Sequence, residues 1–177
     1  MIPVYGQGFF TISYGIINYI IVFDYIDDKG EYRRIMGDRE LIAKEENVLR
    51  ENMQRLMDEE RVIINSLEVR PVVEKAFIEL RGSGKRVSIT FYTSIPFKPN
   101  KGRNIYENFY ESTIAEYPYR VYWIALPCIK IESIESPGLV IVNDNISLIQ
   151  VDRGTRIDGY ESVVFTIRDC PELDRQP

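Results

Sequence analysis

Apolar and polar side chains alternate along most of this chain, a pattern that predicts β-strands. Near the N-terminus, Phe9 to Phe23 is an uncharged run of fifteen residues, which we interpret as extended chain bent at Gly15. Asp27 to Gly30 has the composition of a tight turn. The returning strand of a first hairpin is therefore predicted at Glu31 to Met36.

One segment follows a helical period instead. Asp38 is a good N-cap for a helix over residues 39 to about 60, and the following apolar residues recur at helical spacing. Ile42, Leu49, Met53 and Leu56 fall on one face. An apolar stripe of this kind is most simply explained by packing on a sheet.

From Val62 onward the period of two returns. Val72 to Leu80 and Val87 to Thr93 predict a hairpin around Gly82-Ser83-Gly84, and Tyr119 to Leu126 predicts a further strand. Ile105 to Glu116 stays undecided between a short helix and irregular chain. Short strands about ten residues apart continue to Arg168 and indicate a meander or small barrel.

These elements predict an α+β fold: an antiparallel sheet covered by one long amphipathic helix, with a β-rich meander or small barrel as the C-terminal half. The length of 177 residues favours a single domain, which we place at 1–170. Within it, 1–95 and 105–170 are possible lobes. Residues 171–177 are predicted to be a flexible tail.

The composition limits which catalytic groups and metal ligands the chain can supply. Histidine is absent, which removes the commonest general base and the imidazole metal ligands. The two cysteines, Cys128 and Cys170, form no CxxC pair and are expected to be free thiols. We therefore expect no metal and no cofactor. The missing histidine also gives the chain a thermophile-like composition. The uncharged run is shorter than a membrane span, so we expect a cytoplasmic protein with no membrane contact.

The segment 81–103 has the opposite charge to the rest of the chain. It holds six basic residues and no Asp or Glu in a chain of net charge −5. We predict that these residues form one anion-binding surface, with Tyr92 and Phe97 available for stacking on bases. The six predicted contacts are Arg81, Lys85, Arg86, Lys98, Lys101 and Arg103.

The Gly-Ser-Gly-Lys-Arg tip is not a P-loop, because its spacing is too short and a strand follows it. We recognise no known family in the sequence. The best hypothesis is a non-catalytic binding or assembly protein that contacts a short RNA, a nucleotide or an acidic protein through residues 81–103. One alternative is a histidine-independent enzyme that acts on a phosphorylated substrate. Another is a homo-oligomeric structural protein built on the tyrosine-rich strands.

Overall fold

A computed structural model of the protein describes residues 1–168, in which two β-sheets pack face to face. Strands make up 55% and helices 15% of the described residues. The fourteen strands are Ile2–Ser13 (β1), Ile16–Ile26 (β2), Arg61–Ile64 (β3), Leu67–Val69 (β4), Val72–Leu80 (β5), Arg86–Pro96 (β6), Gly102–Phe109 (β7), Thr113–Ile114 (β8), Tyr119–Ala125 (β9), Ile129–Glu135 (β10), Leu139–Ile141 (β11), Ile146–Val151 (β12), Arg156–Ile157 (β13) and Tyr160–Ile167 (β14). The two helices are Glu31–Ile35 (α1) and Arg39–Glu59 (α2).

The larger sheet has seven strands in the order β11-β12-β9-β1-β2-β6-β5, and only the β1–β9 pair is parallel. The smaller sheet has the order β10-β14-β7-β3-β4, and its strands are all antiparallel. Strands β8 and β13 form a third, two-stranded sheet. The chain thus crosses between the two large sheets several times, so each sheet combines hairpins of consecutive strands with pairs of strands far apart in the sequence.

The core lies between the two sheets. The ring of Tyr106 on β7 lies 5.1 Å from that of Trp123 on β9, and Phe97 meets Phe165 edge-on at 6.0 Å. Trp123 and Phe165 are fully buried. Because successive strand residues point to opposite faces, every second residue of the seven-stranded sheet faces this core. We call the opposite side of that sheet its outer face.

The predicted helix is present, but its predicted position is wrong. The Asp38 carboxylate accepts the backbone N–H groups of Glu40 and Leu41 and caps α2. Helix α2 then runs along β5, the end strand of the larger sheet, and buries only Met53 and Met57. Within residues 1–168 no long helix covers a sheet.

Helix α2 covers the free edge of β5. The Glu46 side chain accepts the backbone N–H of Ile78 at 3.1 Å, and Gln54 accepts that of Val73 at 2.8 Å. An end strand has unpaired N–H groups, and these two side chains satisfy some of them. The sheet face that the helix was expected to cover is already occupied by the second sheet. The fold is therefore mostly β, and the predicted α+β class is wrong.

The C-terminal half is neither a meander nor a barrel. Strands β9, β11 and β12 belong to the larger sheet, whereas β10 and β14 belong to the smaller one. The segment 105–116, undecided from sequence, contains the second half of β7, which pairs with β14 and β3, and the short strand β8. Turns do separate short strands in this half of the chain, as the spacing predicted. Turn residues do not specify, however, which other strand each strand pairs with.

The first hairpin turns at Gly15 and not at Gly30. Ser13 pairs with Ile16, and Gly15 has a φ of 79°, a backbone conformation that glycine adopts without strain. After β2, the buried Asp27 carboxylate accepts the N–H of Tyr32 at 2.9 Å. That hydrogen bond stabilises the first turn of the short helix α1 (Glu31–Ile35). The strand predicted over residues 31–36 is therefore wrong.

The remaining expectations concern the two cysteines, the C-terminal tail and a possible membrane span. Cys128 is disulfide-bonded, which corrects the expectation of a free thiol there. Cys170 and the predicted tail 171–177 lie outside the described residues. Neither α1 nor α2 combines the length and the apolar character that crossing a lipid bilayer requires.

Candidate functional site

The six predicted basic residues lie in two groups at opposite ends of β6. Arg81, Lys85 and Arg86 surround the turn between β5 and β6. The other three follow the far end of β6 and begin β7. Strand β6 has eleven residues, so the two groups are separated by roughly 33 Å at about 3.3 Å per residue. The structure does not bring all six onto one surface.

Helix α1 supplies a basic residue to the first group that was not predicted. A Cβ atom on Gly84 would lie 2.7 Å from Cδ of Arg33, so the Arg33 side chain lies directly against the hairpin turn. The N–H of Asp27 also donates to the carbonyl of Lys85 at 2.8 Å, which fixes the start of this segment beside the hairpin. We call Arg33, Arg81, Lys85 and Arg86 the basic tip.

The positive charge of the basic tip is largely unbalanced. All four side chains are exposed. Arg81 lies 3.9 Å from Glu79, at the limit of an ion pair. In the described part of the chain, no carboxylate lies within ion-pairing distance of Arg33, Lys85 or Arg86. Three cations therefore face solvent without an ion-pair partner among the described residues.

A cavity of about 330 Å³ opens beside the basic tip. Arg81 and Arg86 form part of its wall, and Tyr5 and Tyr25 supply aromatic surface. Asp24 lines it as well and accepts a hydrogen bond from the buried Ser88 hydroxyl. Removal from water, with a smaller effect of Tyr117, raises the pKa of Tyr25 to about 12, so its hydroxyl stays neutral. The cavity combines two guanidinium groups, a carboxylate and two rings.

The two predicted stacking residues differ in accessibility. Phe97 is buried and packs on Phe165, so its ring is not open to a ligand. Tyr92 is 44% exposed and meets Phe77 edge-on at 5.6 Å. It lies six residues along β6 from Arg86, or roughly 20 Å away. Tyr92 therefore lies about half-way along β6, on the sheet's outer face, and is not part of the basic tip.

The second basic group flanks a loop stabilised by asparagines. Asn104 accepts the N–H of Asn100 at 2.8 Å and donates to the carbonyl of Gly102 at 2.8 Å. The carbonyl of Lys98 accepts from the Asn65 amide at 3.1 Å. These contacts order the loop that carries Lys98, Lys101 and Arg103. These three residues do not line the cavity beside the basic tip.

Several acidic and basic strand residues, which a histidine-independent enzyme would need to direct into a pocket, instead contact neighbouring side chains. The Arg70 guanidinium donates two hydrogen bonds of 2.8 Å to the Asp58 carboxylate, and Nε of Arg61 lies 3.0 Å from the Glu68 carboxylate. The Glu74 carboxylate accepts from the hydroxyl of Ser94 at 2.8 Å. These pairs lie on exposed surface, where ion pairs contribute little to stability. Glu74 and Ser94 line a groove on the outer face, but Arg61, Glu68 and Arg70 do not.

A pair of interior carboxyl groups was not singled out from sequence. Glu161 on β14 lies opposite Asn108 on β7, and the Asn108 amide donates to Glu60 at 2.8 Å. Removal from water and the nearby Glu60 raise the pKa of Glu161 to about 7, and removal from water also raises the pKa of Glu60. Neither carboxyl group lines the cavities described above, so we assign this pair a structural role.

Comparison with known proteins adds little. No family model matches the chain, and no curated protein matches it. Among solved structures, the chain is similar to the aminopeptidase N family protein from Idiomarina loihiensis, with a TM-score of 0.40 and 11% identity. The match covers 90% of this chain and 29% of that one, so the chain spans less than a third of its length. At this TM-score the likeness supports no conclusion about function.

Proposed function

We propose that this chain is a non-catalytic binding protein whose basic tip contacts a short phosphate-bearing ligand. The observation that carries the proposal is the group of Arg33, Lys85 and Arg86, exposed cations that lack a carboxylate partner in the described chain. Guanidinium groups present planar forks of N–H donors that match phosphate oxygens. Three of the four residues of the basic tip are arginines.

The adjoining cavity favours a small ligand over a long polyanion. Its volume of about 330 Å³ lies at the lower end of the range of small-molecule sites. Tyr5 and Tyr25 offer surface for a planar ring beside the two arginines. The net charge of −5 would repel an extended nucleic acid. A nucleotide, or the end of a short single-stranded RNA, has both the phosphate and the ring.

A cytoplasmic location is part of the proposal, since such ligands are found there. Disulfides are rare in the cytosol of most organisms, but intracellular proteins of hyperthermophiles are rich in them. The disulfide at Cys128 and the thermophile-like composition are thus consistent with one another. Fractionation of source cells would test the location.

The test is binding of a labelled short uridine oligonucleotide, measured by fluorescence anisotropy over a range of salt concentrations. We expect log affinity to fall linearly with log salt, by about 0.7 for each phosphate neutralised. The variant Lys85→Glu/Arg86→Glu should abolish binding at the lowest salt. Its matched control is Lys98→Glu/Arg103→Glu, which makes the same change in net charge at the other end of β6 and should still bind.

Each other outcome contradicts the proposal. Equal loss in both variants would mean that only net charge matters and that the basic tip is no site. Absence of binding by the wild type at low salt would remove nucleic acid as the ligand. Titration with an acidic peptide then distinguishes an acidic protein partner, since only that partner would bind under the same conditions and lose affinity in the tip variant.

A further inference from the structure

A row of apolar side chains crosses the outer face of the seven-stranded sheet. The strand register places one residue from each of six neighbouring strands directly side by side. In order from β6 to β11, the row consists of Tyr92, Ile20, Phe9, Tyr122, Leu148 and Ile141. Five spacings of about 4.8 Å make it about 24 Å long. The row is continuous from strand to strand, and no charged residue interrupts it.

No element within residues 1–168 covers this row. Tyr92 at one end is 44% exposed and Ile141 at the other is 51% exposed, while the four residues between them are half-buried by their neighbours. A groove of about 530 Å³ runs beside Tyr92 and Phe9, and Phe77 forms another part of its wall. A contiguous apolar surface of this extent on a soluble protein generally marks an interaction site.

The chemistry of the row restricts what covers it. The rings of Phe9 and Tyr122 stack on one another at 5.2 Å with only 7° between their planes. Each ring therefore has one face occupied by the other ring, and the pair is not a flat platform for a planar ligand. Among the described residues, Lys75 at the β5 end is the only charged residue in register with the row. Glu74 and Lys75 line the groove at that end, so both signs of charge occur there, and the row from Ile20 to Ile141 offers no charged complement to a strongly charged partner.

We propose that the outer face packs against the same face of a second copy of this chain. Two sheet faces pack well about 10 Å apart, as the two sheets within one copy do. A two-fold axis through the row would place apolar residues opposite apolar residues, which satisfies the self-complementarity of an isologous interface. None of the six residues of the row carries a charge, so the row itself contributes no repulsion between two copies.

The size of the face is sufficient for a stable dimer. Seven strands make it about 29 Å wide, and β2 and β6, with eleven residues each, are about 36 Å long. The face is shorter toward its other edge, where β9, β12 and β11 have seven, six and three residues. A typical stable interface buries roughly 800 Å² of each partner. Pairing through the β5 edge is the competing arrangement, but α2 lies along that edge and occupies two of its N–H groups. The outer face is accordingly the better surface for self-association.

The test is the solution mass, measured by sedimentation equilibrium across a range of protein concentrations. The wild type should reach twice 20.7 kDa. The variant Tyr92→Glu/Ile141→Glu places two charges in the row and should weaken dimerisation by roughly two orders of magnitude, because charges would be buried without partners. Thermal unfolding of this variant confirms that it is folded, and Tyr92→Ser/Ile141→Ser serves as a milder second variant.

The matched control is Leu56→Glu/Leu67→Glu, the same chemical change at two residues that are each 56% exposed on α2 and β4. It should leave the dimer intact. A wild type that remains at 20.7 kDa at every concentration would overturn the proposal. So would a dimer that the control dissociates and the row variants do not, because the interface would then lie elsewhere. Oligonucleotide binding at the basic tip is measured separately, so the two proposals fail independently.

Discussion

The two faces of the seven-stranded sheet both carry apolar side chains but have different surroundings. On β12, Ile149 is buried against the second sheet, whereas Leu148 lies in the apolar row of the outer face. On β9, Trp123 is fully buried and its neighbour Tyr122 is not. The inner face is therefore packed against the second sheet, whereas no element of the described residues covers the apolar row of the outer face. Under the dimer proposal, the inner face provides stability and the outer face provides association.

The largest expected effect on stability comes from comparing a substitution on the inner face with one at the adjacent residue on the outer face. Ile149→Ala should lower the free energy of unfolding by about 2 to 5 kcal/mol, because it leaves a cavity in a packed core. Leu148→Ala, the adjacent residue on the opposite face, should cost less than about 1 kcal/mol when measured on the monomer. Urea unfolding of both variants at low protein concentration makes the comparison. Equal losses would show that the outer face is also part of a core.

An intermediate effect is expected from the interior carboxyl pair, in which Glu161 lies on β14 of the smaller sheet and Glu60 at the end of α2. Because the pKa of Glu161 is raised to about 7 in the folded chain, the folded state holds its proton more tightly than the unfolded state. The contribution of this group to stability is complete below its ordinary pKa of 4.5 and is lost as pH rises to about 7. The total loss is up to about 3 kcal/mol.

Glu161→Gln tests this pH dependence, since the introduced side chain stays neutral at every pH. The melting temperature of this variant should exceed that of the wild type at about pH 8 and match it near about pH 4, on either side of the shifted pKa. The introduced amide could also donate to the Asn108 side-chain oxygen, which is buried without a partner in the described chain. Glu132→Gln, the same change at an exposed residue of β10, is the control and should shift nothing. Parallel pH profiles for all three proteins would contradict the assignment.

The smallest effect concerns the edge of the sheet and not its faces. Glu46→Ala removes the acceptor for the N–H of Ile78 and should destabilise the fold by about 0.5 to 1.5 kcal/mol. Glu51→Ala is the control, because Glu51 lies exposed on the same helix and its recorded contacts are with Asn47 and Arg50. Hydrogen exchange at Ile78 gives the sharper measurement, since its amide should exchange faster in Glu46→Ala alone. An unchanged rate would mean that α2 does not protect this edge.

Local features were predictable where they depend on neighbouring residues. The cap at Asp38, the helix that follows it and the β5–β6 hairpin around Gly82 to Gly84 were all confirmed. The position of α2 was not predictable, because its apolar stripe is compatible with a sheet face or a sheet edge. The short helix α1 was missed since the Asp27 carboxylate that caps its amide groups was interpreted as part of a turn.

The candidate site was predictable only in part, and for a geometric reason. Arg81, Lys85 and Arg86 meet because a tight turn holds them together, and that much follows from the chain alone. Lys98, Lys101 and Arg103 lie far from that turn because the extended strand β6 separates them from it. The number of charges in the segment gives no information about this distance. Arg33 reaches the basic tip from another part of the chain, and no local pattern could have indicated it.

The sequence by itself determined the strands, the helix, the hairpin and the basic turn, because a period of two, a cap and a glycine-rich turn act over a few residues. Only the tertiary structure decided which strands pair, which face each buries and which charges remain without partners. Strand pairing joins residues far apart in the chain, such as the parallel β1 and β9. The apolar row has the same origin: each of its residues is ordinary in its own strand, and the register alone aligns them across the sheet.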